Sequence, residues 1–147
     1  MKSQASDHFI HKIQQGFSLL EVLIAIVVLS IGLLGLAGLQ ASSLRNNHSA
    51  YLRSQATFLA TDIIDRMRAN RLAALGGSYD IAMNAAPPTG TSVVKTDLNQ
   101  WLTALANQLP AGDGAIARNG TLFTVTIQWD DNRDSTNLVS FAVETEI

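Results

Sequence analysis

The chain has 147 residues, a net charge of −2 and no cysteine, so it suits one small domain beside an apolar segment and excludes disulfides and thiolate metal sites. With 12 acidic residues against 10 basic ones, no positive field holds nucleic acid by bulk electrostatics. Histidine occurs only at positions 8, 11 and 48, which leaves everything after residue 48 without a Ser-His-Asp or Cys-His set for nucleophilic catalysis.

Residues 1–16 are polar and show no apolar period. The sequence Gly16-Phe17-Ser18-Leu19-Leu20-Glu21 then opens a run of 23 residues, 17–39, in which only Ser18, Glu21 and Ser30 are polar. As a helix it is roughly 35 Å long, enough to cross a hydrocarbon core of about 30 Å. A carboxylate inside such a span costs about 2.5–3.5 kcal/mol on insertion scales, so Glu21 needs a reason to be there. A secretory signal peptide has an apolar region of only about 7–15 residues, and the small residues around Ala37 and Ala41 make a poor cleavage site of that kind. A plain signal anchor fits the length but gives no account of Glu21. Lys2 and Lys12 precede the span and Arg45 and Arg53 follow it, so the basic asymmetry is too weak to orient it.

From Phe17 to about Ala74 there is no proline, which predicts one very long helix, apolar all round in its first half and amphipathic in its second. Leu52, Ala56, Leu59, Ile63 and Met67 recur at steps of three and four, with Leu44, Tyr51 and Phe58 on an adjoining strip. Asp62 and Arg66 are spaced to pair on the exposed side. Gly76 and Gly77 are the expected stop. Within the helix Gly32, Gly35 and Gly38 each cost about 1 kcal/mol relative to alanine. They serve either close helix packing or a weak stretch able to unwind.

Residues 78–95 read as a loop turning at Pro87-Pro88-Thr89-Gly90. A short helix follows, with Asp97 as its expected cap and Gln100 as the capping-box partner. Its apolar face comprises Leu98, Trp101, Leu102, Leu105 and Leu109, and Pro110 with Gly112 ends it. Phe123, Val125, Ile127 and Trp129 alternate with polar residues as in a half-buried strand, joined to 115–118 through a turn at Asn119-Gly120. After a polar loop at 130–137, Val139, Phe141, Val143 and Ile147 alternate again. The expectation is an α+β fold: a three-stranded antiparallel meander packed on the amphipathic half of the helix, anchored by Trp129, Phe123, Phe141, Ile63 and Met67. Asp130, Asn132 and Asp134 resemble the start of a calcium loop. Ser135 stands where its glycine belongs and Phe141 where its glutamate belongs, so a solvated hairpin loop is the better reading. The triplets beginning at Asn47 and Asn119 match a glycosylation pattern that many sequences match by chance.

The segment Gly16 to Glu21 resembles the processing site of type IV prepilins: a short polar leader, Gly then Phe, and a glutamate as fifth residue of the processed chain. The resemblance implies a type IV pilin-like fold, with residues 1–16 as a leader, 17–40 as the membrane and assembly half of the helix, and 41–147 as a periplasmic head. It implies that a prepilin peptidase cuts between Gly16 and Phe17, that Phe17 is N-methylated, and that the leader is cytoplasmic. Glu21, which has no basic partner in its own segment, is then expected to pair with the new amino group of Phe17 on a neighbouring subunit. The alternative for Glu21 is solvation at the membrane interface. Many pilins carry a helix-breaking proline near Gly38, and many staple the head with a disulfide. This chain has neither.

The run LSIGLLGLAGLQ at 29–40 and DIIDRMRAN at 62–70 are similar to minor pilins of the PilV type, with VTIQWD at 125–130 a weaker echo. That implies a minor pilin in a complex priming pilus assembly near the tip, with other minor pilins and the major pilin as partners and effects on twitching motility and adhesion. It implies residence in the inner membrane and then the pilus, with no cofactor, no metal and no enzymatic activity. The nearest rival is a minor pseudopilin of a type II secretion system. A membrane-anchored periplasmic enzyme and a monomeric binding module are the readings from other classes.

Overall fold

The computed structural model describes residues 16–131 and 138–147. The chain divides into two compact units between Ser43 and Leu44. Helix α1 (Leu19–Ala69) spans that division, followed by α2 (Arg71–Leu75), α3 (Val93–Gln108), β1 (Asp113–Asn119), β2 (Leu122–Asp130) and β3 (Leu138–Glu146).

In the first unit α1 starts immediately after Ser18 and is regular through Gly32, Gly35 and Gly38, where an added Cβ would meet nothing. Every side chain from Phe17 to Leu39 is exposed. This is the one helix among the described residues that is long and apolar enough to cross a membrane.

In the second unit the sheet is antiparallel in the order β1-β2-β3, with Ile127 paired to Gly114 on one side and Phe141 on the other. Phe123, Val125, Ile127 and Trp129 point to one face and are fully buried. The facing stripe of α1 is the expected one: Leu52, Ala56, Leu59, Ile63 and Met67 are all buried, as are Leu98, Trp101, Leu102 and Leu105 of α3. Trp101 Nε1 donates to the Leu59 carbonyl at 3.0 Å, which satisfies the indole where it is buried. A long helix packed on a three-stranded antiparallel sheet makes the fold α+β.

Several expectations are corrected. The helix is not continuous to Ala74: it breaks at Asn70, whose backbone leaves the helical region at φ −117° and ψ 48°. Asparagine competes with the helix through its own side chain, and here its amide donates to Tyr79 Oη at 3.4 Å. The stop itself is where the glycines place it. Gly77 has φ +79°, its N–H donates to the Ala74 carbonyl (2.9 Å), and that of Ser78 donates to Ala73 (3.0 Å), a Schellman closure.

Leu44, Tyr51 and Phe58, on the strip beside the core-facing stripe, lie outside the core. At about 100° per residue they fall away from the buried arc, and they stay exposed. The cap of α3 is Ser92, which accepts from Lys95 N, so α3 begins four residues before Asp97 and the carboxylate of Asp97 is free for other partners. In the first hairpin Asn119 pairs with Leu122, so the two turn residues are Gly120 and Thr121, one step later than expected. Gly120 has φ +66° while Thr121 keeps a negative φ, the arrangement of a type II′ turn. Phe141 is only half-buried, because β3 is an edge strand at the margin of the core, whereas Ile81 bridges the outer edge of β1 at Ile116.

Candidate functional site at the start of the long helix

Gly16, Phe17 and Ser18 precede α1 without regular structure, and Glu21 is its third residue. Ser18 is the N-cap: its Oγ accepts from Glu21 N at 3.2 Å, and its carbonyl accepts from Glu21 N (3.0 Å) and Val22 N (3.3 Å). The pattern Ser18…Glu21 is half of a capping box; the reading of the sequence missed it, and S-x-x-E is the signal that marks it. Phe17 is 84% exposed, and a Cβ on Gly16 would touch nothing. No hydrogen bond or ion pair engages the Glu21 carboxylate among the described residues. An acidic group in the first turn suits the positive end of the helix dipole, but it still lacks a counter-charge.

A second cluster, missed by the reading of the sequence, lies within the second unit. Arg66 bonds Asp62 as expected (3.0 Å), but it also reaches across to Asp97 Oδ1 (3.3 Å) and Gln100 Oε1 (2.7 Å). Asp97 Oδ2 accepts from the hydroxyl of Tyr79 at 2.6 Å. Burial, reinforced by that hydrogen bond to a carboxylate, pushes the Tyr79 hydroxyl from 10.0 up to about 12. Each carboxylate oxygen thus has a donor and the arginine has three acceptors, so the arrangement is a closed structural tie. Tyr79 lies in the segment read as a loop, where no period marked it for burial. Beside it Ile81 exchanges two backbone hydrogen bonds with Ile116 (3.0 and 2.9 Å), lying along the outer edge of β1.

A shallow hollow of about 350 Å³ is lined by Pro88, Thr89, Gly90, Thr96, Asn99 and Gln100, none of which titrates. Among the described residues no three acidic, histidine or cysteine side chains gather to hold a metal. The acidic loop weighed as a calcium site lies largely at 132–137, outside the described residues, as do His8 and His11.

The family model of the prokaryotic N-terminal methylation motif matches residues 11–37. No curated protein and no solved structure matches the chain at a significant level. The matched segment holds Gly16, Phe17, Ser18 and Glu21 together with most of the apolar half of α1. The motif is one of structural subunits rather than enzymes, and it implies processing by a prepilin peptidase and assembly with other pilins. An apolar helix at this place is compatible with membrane anchoring followed by incorporation into a pilus. The chain therefore carries the N-terminal methylation motif of prepilins, which supports a place in the type IV pilin and pseudopilin family.

Proposed function

We propose that the protein is a minor pilin of the PilV type, which joins a minor-pilin complex priming type IV pilus assembly near the tip. The observation that carries this reading is Glu21: a carboxylate without a counter-charge among the described residues, at the start of an exposed apolar helix, within the matched methylation motif. In this reading residues 1–16 are a cytoplasmic leader, 17–40 anchor the subunit in the inner membrane, and 41–147 form the periplasmic head. A prepilin peptidase cuts between Gly16 and Phe17, and the amino group of Phe17 is methylated.

In the assembled bundle Glu21 pairs with the Phe17 amino group of a neighbour. In a water-poor core a charge left unpaired is costly, so the pair rewards docking and sets the stagger between subunits. Gly32, Gly35 and Gly38 supply the stretch that loosens as the subunit leaves the bilayer. Similarity to PilV-type minor pilins at residues 29–40 and 62–70 favours the pilus over the secretion pseudopilus. Twitching motility and adhesion follow as the affected phenotypes.

Mass spectrometry of the protein from the native membrane tests the processing step, with a mature chain beginning at methylated Phe17 as the expected result. A chain beginning at Met1 or near Ala41 would remove the reading. Crosslinking in cells then separates the partners: capture of minor pilins supports the proposal, and capture of type II secretion pseudopilins replaces it with the rival.

A further inference from the structure

We propose that Ser18 is a positioning residue for cleavage: by capping α1 it ends the helix short of the bond between Gly16 and Phe17 and leaves that bond outside regular helix for the peptidase. The inference rests on the prepilin reading above. Its basis is that, apart from the intrinsic helix cost of Gly16, the Ser18 cap is the one interaction among the described residues that holds this segment out of the helix. Phe17 is exposed, and an added Cβ on Gly16 would meet no atom within 4 Å, so no tertiary contact among the described residues fixes either residue. The cap does: both the Oγ and the carbonyl of Ser18 take the Glu21 N–H, at 3.2 and 3.0 Å, and regular helix begins at Leu19.

A peptide bond inside a helix has its N–H and C=O tied to neighbouring turns and its flanks covered by side chains. An extended bond offers both groups to a protease cleft. Gly16 also resists helix, but glycine opposes it only by entropy, by an amount similar to one cap. With serine removed, the apolar helix gains a route to extend backward over Phe17 towards the scissile bond. The competent fraction of the substrate then falls, and apparent specificity falls with it.

The full-length precursor in detergent, cut by limiting purified prepilin peptidase, provides the test, with kcat/KM measured for wild type, Ser18→Ala, Ser18→Thr and Ser18→Asn. Loss of one cap lowers kcat/KM about fivefold in Ser18→Ala, and both capping side chains recover the wild-type value. The Phe17 13Cα shift, read by NMR on the same precursors, moves towards its helical value in Ser18→Ala alone. Asparagine caps without a hydroxyl, so Ser18→Asn as slow as Ser18→Ala would mean that the peptidase reads the hydroxyl directly, and would overturn the proposal. Equal rates for Ser18→Ala and wild type would overturn it too, while leaving the prepilin reading intact. A wild-type precursor that is not cut at all would remove the prepilin reading and this inference with it.

Discussion

The hydroxyl of Tyr79 donates to Asp97 Oδ2 at 2.6 Å while Arg66 holds the other oxygen of the same carboxylate at 3.3 Å. One aspartate thereby ties the segment after α2, the helix α3 and the second half of α1 into a single unit. With no disulfide available, such ties add to apolar packing in holding the second unit together.

Removing the hydroxyl isolates its contribution. Tyr79→Phe keeps the buried ring and is expected to lower stability by about 1.5–3 kcal/mol, a hydrogen bond to a charged acceptor. The pH dependence has a definite sign. The Tyr79 hydroxyl titrates at about 12 in the folded chain against 10.0 ordinarily, so its contribution is complete below pH 10 and is lost as pH rises through 12. Denaturant unfolding between pH 9 and 12 should show a fall in the wild type that is shallower in Tyr79→Phe. Identical slopes would mean that the hydroxyl is not in this environment.

The two phenylalanines of the sheet should behave differently. Phe123 on the central strand is fully buried and Phe141 on the edge strand only half so. Phe123→Ala is expected to cost about 3–5 kcal/mol and Phe141→Ala roughly half as much. Thermal unfolding of the two variants decides it, and a larger loss for Phe141→Ala would reverse the assignment of centre and edge.

Two glycines separate packing from backbone. A Cβ on Gly114 would run into the Trp101 ring and Leu105, although its backbone is of an ordinary kind. Gly120 has open space around it but φ +66°. Gly114→Ala should cost about 1–3 kcal/mol through overpacking of α3 on β1. Gly120→Ala should cost about 1–2 kcal/mol through left-handed strain, without disturbing the core. Tryptophan fluorescence should shift in the first variant alone. An unshifted, fully stable Gly114→Ala protein would show that α3 sits farther from β1.

The assembly proposal makes charge, not bulk, the property required of Glu21. Glu21→Gln preserves shape and hydrogen bonding but cannot form the ion pair proposed for assembly. It is expected to insert and be cleaved like the wild type, yet to be absent from sheared pili on immunoblotting, as is Glu21→Ala. Normal incorporation of the glutamine variant would eliminate the ion pair as the reason for a carboxylate in the span.

Much was settled by sequence-local physics. A polar residue in an apolar run is visible as soon as it is read, so Glu21 and the segment from Gly16 stood out unaided. Period two marked Phe123 to Trp129, and steps of three and four marked Leu52 to Met67 and Leu98 to Leu105, because burial of one face leaves its imprint on every residue of an element. The tertiary structure decided what such patterns leave open. Tyr51 and Phe58 are as apolar as their neighbours, but the sheet covers only one arc of the helix, and theirs is not it. Phe141 obeys the same alternation as Phe123, yet burial at an edge depends on what lies beyond it. Asn70, Tyr79, Asp97 and Arg66 carry no common period. Their hydrogen bonds join positions up to 31 residues apart, and such partners are chosen only when the packed elements bring them within reach.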